Sequence, residues 1–96
     1  MDWDEGAVRG VVPLAQAGRP LEATWQVPFA RLGGGDPVLM PQARRVATDS
    51  TGAFFLCGVP RDIPVTVRVL GVNDPTLTRV VQVAKRSLVT VADFRR

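Results

Sequence analysis

The stretch Thr48-Asp49-Ser50-Thr51-Gly52-Ala53-Phe54-Phe55-Leu56-Cys57-Gly58-Val59-Pro60 decides how this chain is read. Asp49, Ser50 and Thr51 can hydrogen-bond their own backbone, and Gly52 can take the positive φ that closes a tight corner. Apolar residues then run from Ala53 to Cys57 until Gly58 and Pro60 break the pattern. The segment predicts a turn, a short buried strand over 53–57 and a second turn. Alternation places Phe54 and Leu56 on one face and Phe55 and Cys57 on the other.

Outward from this segment, strand signals dominate. No window holds a convincing 3.6-residue apolar period, and eight prolines are spread along the chain. A first strand is expected over 7–12, with Val8, Gly10 and Val12 on one face and Gly10 marking a close backbone approach or a bulge. A second runs from about Leu21 to Phe29, carrying Trp25, with Pro28 near its end pointing to an edge or a bulge. Gly33-Gly34-Gly35-Asp36-Pro37 reads as a flexible loop, because three glycines offer little to pack. Val38-Leu39-Met40 reads as a short strand whose pairing Pro41 limits. Val65-Thr66-Val67-Arg68-Val69-Leu70 shows the cleanest alternation, with Val65, Val67 and Val69 inward. After the Asn73-Asp74-Pro75 turn, further strands are expected over 78–83 and 88–94. Short strands at regular spacing, separated by Gly, Pro, Asn and Asp, predict one all-β domain: a seven-stranded antiparallel β-sandwich over residues 1–96.

Composition narrows the chemistry. With 96 residues and 46% hydrophobic content the chain is long enough for one core and is not of disordered type. No apolar run is long enough to cross a membrane as a helix. The net charge of +3 and pI near 10.4 invite a nucleic-acid reading. The basic residues are scattered, however, with Arg44-Arg45, Lys85-Arg86 and Arg95-Arg96 as the only adjacent pairs, and no aromatic platform is interleaved with them. A solvated surface explains them, and no nucleic-acid partner is expected. The chain has no His and no Tyr, so Ser-His-Asp and Cys-His sites and His-liganded zinc or iron cannot be built. Cys57, the single cysteine, is expected to be a small buried hydrophobe and not a reactive thiol. No catalytic, cofactor or metal site is therefore expected. The acidic start Met1-Asp2-Trp3-Asp4-Glu5 lacks the regions of a signal peptide, and Met1 is read as a start placed on a domain cut from a longer precursor.

Four motifs in order carry a family resemblance: Arg9-Gly10-Val11-Val12, Gly18-Arg19-Pro20-Leu21, Thr48 to Pro60, and Val65-Thr66-Val67-Arg68-Val69. Each is common alone. Together, over roughly residues 6–83, they resemble the carboxypeptidase regulatory-like domain, a transthyretin-like Greek-key β-sandwich. The chain departs from that pattern at Glu22-Ala23-Thr24, where a Gly-Ala pair is usual, and at Phe55, where a polar residue is usual. The second departure implies an apolar patch on the outer face, covered by a loop or a partner. The resemblance implies an accessory domain of a bacterial secreted, periplasmic or cell-surface protein.

The leading expectation is thus a non-catalytic structural or interaction module without a cofactor. Its partners would be other domains of a parent protein or other copies of itself. Assembly would run through exposed strand edges, with segments 2–12 and 88–96 as the edges expected to exchange. The alternative is a carbohydrate- or peptide-binding module using Trp3 and Trp25, whose competing reading is that both indoles supply buried area. Trp3, Trp25 and Phe55 are therefore the candidate interaction residues. A carboxylate enzyme using Asp49 and Asp62, or calcium at the Asp49 turn, is the least favoured reading, because turn chemistry accounts for both residues.

Overall fold

The computed structural model describes residues 5–29, 33–36 and 38–94. Strands β1 (Glu5–Val11), β2 (Pro20–Phe29), β3 (Val38–Ala47), β4 (Ala53–Pro60), β5 (Val65–Val69), β6 (Thr78–Val81) and β7 (Val89–Asp93) follow one another, with 3₁₀ turns at Leu14–Gln16 and Pro75–Leu77. The fold is all-β, in two sheets of order β4-β1-β7 and β3-β2-β5-β6. Their inner faces share one core, to which Val8, Leu56 and Ala92 contribute from the first sheet and Leu21, Val65 and Val67 from the second. The alternation expected for β5 holds: Val65, Val67 and Val69 are buried, whereas Arg68 is exposed.

One pair departs from the expected antiparallel arrangement. β1 is antiparallel to β4 but parallel to β7, with Ala7 opposite Val89 and Val11 opposite Asp93. β1 is therefore the central strand of its sheet, and the expectation that the N-terminal segment forms an exchangeable edge is corrected. Both sides of its backbone are already bonded. The C-terminal strand β7 does lie at an edge. The parallel pairing explains Gly10, whose missing Cβ leaves room for the carbonyl of Ala92. The bulge falls elsewhere, between Gly6 and Ala7.

Other strand bounds also differ from the sequence reading. β3 continues through Pro41 to Ala47, because Pro41, opposite Gln26, sits at a position whose nitrogen points away from β2. The alternation is fixed by the Thr48 N–H, which bonds the Arg19 carbonyl on the other set of positions. Proline removes no ladder bond there. β4 likewise runs past Gly58, whose φ of +82° is accommodated beside the Gly6/Ala7 bulge, and ends at Pro60. The last two strands are shorter than expected, at Thr78–Val81 and Val89–Asp93.

The corner before β4 closes as its residues predict. One carboxylate oxygen of Asp49 accepts from the Thr51 N–H at 2.8 Å, the Thr51 hydroxyl at 2.7 Å and the Ala53 N–H at 3.0 Å. Gly52 turns the chain with a φ of +85°. The Thr51 hydroxyl, then its N–H and that of Ala53, hold the Asp49 carboxyl below its ordinary range. Asp49→Ala should lower Tm measurably while leaving the far-ultraviolet spectrum unchanged; an unaltered Tm would show the corner closing on Gly52 alone. Asp74 repeats the device, capping the second 3₁₀ turn through the N–H and hydroxyl of Thr76.

Candidate interaction surface

Alternation along β4 decides what the outer face of the β4-β1-β7 sheet looks like. Phe54 and Leu56 are buried, so Phe55 and Cys57 project outward. Register then brings three cross-strand rows onto that face. Cys57, Ala7 and Val89 form one, Phe55, Arg9 and Val91 the next, and Ala53, Val11 and Asp93 the last. Phe55 is 50% exposed and Val91 58% exposed, on either side of Arg9. Between them lies a shallow, mainly apolar depression of about 420 Å³. Among the described residues no loop covers it, and the outward apolar patch expected at Phe55 is present.

Cys57 is exposed on this face, and the expectation that it is buried is corrected. Residue type argued for burial; strand parity decides otherwise, because Cys57 shares its face with Phe55.

Trp25 is half-buried and packs against the core from the inward-facing side of β2. A groove of about 550 Å³ beside it is lined by Leu39, Pro41, Ile63, Pro64, Thr24 and Thr66. Trp25 thus sits on the opposite sheet from Phe55, and the structure does not unite the two in one site. Trp3, the other candidate, lies outside the described residues.

The carboxylates find structural partners. Glu22, outward on β2 but 10% exposed in its side chain, accepts from Arg45 Nε of β3 at 2.9 Å and from Arg68 Nη2 of β5 at 3.1 Å. The two guanidiniums hold its carboxyl below the ordinary range, outweighing the opposing effect of burial. Asp62, at a left-handed φ of 63°, accepts from the Gln82 amide at 3.2 Å. No group of three or more metal-ligating side chains occurs among the described residues, and none of their helices is long and apolar enough to cross a membrane. Sequence reasoning missed the Glu22 ion triad; Arg45 and Arg68 lie 23 and 46 residues from it, and only the strand order brings them together.

The acid dependence of stability follows from these groups. Glu22, Asp49 and Asp74 all have lowered values in the folded state. A carboxyl with a lowered folded value stabilises fully above its unfolded value, near 4, and that contribution is lost as pH falls through the folded value. Tm should therefore hold between pH 7 and about 5 and fall below about 4. Glu22→Gln should lower stability at pH 7 by about 1 kcal/mol and reduce the acid-dependent fall; an unchanged profile would assign that fall to the other carboxyls.

Comparison with family models, with curated proteins and with solved structures gives no match. The outer-face geometry therefore carries the functional reading.

Proposed function

We propose that this domain is a non-catalytic β-sandwich of the transthyretin-like, Greek-key kind, similar to carboxypeptidase regulatory-like modules, and that it works by binding protein. The observation that carries the reading is the uncovered row Phe55-Arg9-Val91 on the outer face of the β4-β1-β7 sheet. A sheet needs only one apolar face to build a core, and the inner face already supplies it. Exposing a phenylalanine and a valine on either side of Arg9 on the second face adds no folding stability. It does supply the aromatic anchor that protein interfaces favour. By the family resemblance, the setting is a bacterial secreted, periplasmic or cell-surface protein, in which other domains of the parent chain or other copies of this one would be the partners.

Photo-crosslinking tests the reading. Benzoylphenylalanine placed at Phe55 in the parent protein, in its own cells, should give one discrete adduct with a neighbouring domain or protein. The same group at Thr76, on the exposed turn before β6, should give none. Equal labelling from both positions, or no adduct from Phe55, would overturn the proposal.

A further inference from the structure

The two sheets are unequal, three strands against four, and β3 lies at the outer edge of the larger one. It is exposed along its length except at Val46, which packs against the core. Val46 fixes the inward parity of β3, so Arg44 and Gln42 face inward as well. Opposite them on β2 stand Ala23 and Trp25. The inner face of this strand pair therefore turns from apolar at Val46 to polar at Arg44 and Gln42, beside a half-buried indole.

Arg44 spans the gap to the other sheet. Its guanidinium lies against the backbone of Gly58 on β4, 3.0 Å from where a Cβ would stand. Next to this crossing is a cleft of about 390 Å³, walled by Trp25 and Val27 of β2, Gln42 and Arg44 of β3, and Glu5 and Pro60 of the first sheet. That volume falls among those of small-ligand sites, about 300–1,000 Å³.

The polar groups of the cleft are not used by the fold. Glu22, Arg45 and Arg68 on the outer face of the second sheet are paired with one another. Among the described residues, by contrast, the side chains of Glu5, Trp25, Gln42 and Arg44 make no hydrogen bond or ion pair. An inward arginine on an edge strand also discourages edge pairing. That role asks nothing of Gln42 beside the indole, or of Glu5 across the cleft.

Donors and acceptors select the class of ligand. Arg44 only donates, Glu5 only accepts, Gln42 does both, and the Trp25 Nε1–H donates. An anion would meet Glu5 as well as Arg44, and a cation the reverse. Hydroxyls donate and accept, so a neutral polyhydroxylated ligand satisfies every one of these groups. A sugar ring supplies the apolar match too, since its C–H face carries slight positive charge and packs on the negative face of an indole.

We propose that the cleft beside Trp25 binds a neutral oligosaccharide, with one ring stacked on the indole and its hydroxyls held by Gln42, Arg44 and Glu5. The site is separate from the outer face that carries Phe55 and does not rest on the protein-binding reading above.

The test is a fluorescence titration of the whole domain with cellotetraose, whose β-linked rings present flat C–H faces. A Trp3→Phe background leaves Trp25 as the single indole. Its emission should move to shorter wavelength and saturate with a Kd of about 1 mM or below. Gln42→Ala and Arg44→Ala, both at exposed positions, should each weaken binding about tenfold. Val80→Ala, exposed on β6 and outside the cleft, should bind as the parent does. Affinity should be unchanged by sodium chloride, because the ligand carries no charge.

No response by about 10 mM cellotetraose overturns the proposal and leaves Arg44 as a guard of the β3 edge. Equal affinity in Gln42→Ala and Arg44→Ala, or an equal loss in Val80→Ala, overturns it by placing the sugar elsewhere. Tighter binding of the zwitterion glycylglycine, weakened by salt, overturns it in favour of a charged ligand. Each of these outcomes leaves the Phe55 crosslinking result to be judged by itself.

Discussion

Gly10→Ala should destabilise the domain by about 3 kcal/mol or more and lower Tm by more than about 10 °C. A Cβ at residue 10 would overlap the carbonyl oxygen of Ala92 and approach the Phe54 Cζ to 2.9 Å. A Cβ has no rotamer by which to escape, and the obstructing atom is backbone. Relief therefore requires β1 and β7 to separate, which breaks the parallel ladder from Ala7 to Val11. For a chain of 96 residues, total stability is expected at only about 5–14 kcal/mol, so the variant sits near the edge of folding. Gly18→Ala is the matched control. Its φ of +81° is unfavourable for alanine, yet nothing lies within 4 Å of an added Cβ. It should lose only about 1 kcal/mol. Chemical denaturation of both variants measures the difference; equal losses would mean that β7 shifts freely and that the parallel pair is not rigid.

The same glycine shows what the sequence could and could not reveal. Gly10, sharing a strand face with Val8 and Val12, announces a close approach, but not to which strand, because the partner carbonyl comes from residue 92. Alternation is a local property, so the inward faces of β4 and β5 were legible from Phe54, Leu56, Val65, Val67 and Val69 alone. Strand order is not local. The parallel β1–β7 pair joins the two ends of the chain, and no periodicity within either strand encodes it. Pro41 misled for a related reason: whether a proline ends a strand depends on which side its nitrogen faces, and that is settled by pairing. Cys57 misled because residue type and parity disagreed there, and parity prevailed. Phe55 was legible as an outward apolar residue from alternation, whereas its neighbours Arg9, Val89 and Val91 on the same face were not, since they come from other strands.

The adjacent phenylalanines of β4 provide the sharpest contrast between what folds this domain and what it displays. Phe54→Ala should cost about 3–5 kcal/mol, the usual range for an aromatic removed from a closed core. Phe54 is 6% exposed and meets the Phe94 ring at 6.1 Å between centroids, tilted by 58°, within the separation at which aromatic pairs add to simple burial. The Arg79 guanidinium lies over the Phe94 ring at 5.4 Å, so Phe94 links Phe54 of β4 with Arg79 of β6 just past the end of β7. Loss of Phe54 therefore loosens the junction of both sheets, and the Phe54→Leu and Phe94→Leu pair should show a coupling of about 1 kcal/mol in a double-mutant cycle. Additive losses would show that the rings contribute by area alone. Phe55→Ala, one residue on, should change stability by less than about 0.5 kcal/mol, because half of that side chain is already in water. Yet Phe55→Ala should weaken capture of the partner that benzoylphenylalanine at the same position marks. A side chain whose removal is silent in denaturation but not in association is held at the surface for contact with another molecule; were Phe55→Ala as destabilising as Phe54→Ala, Phe55 would belong to the core, and the outer face would have no claim on a partner.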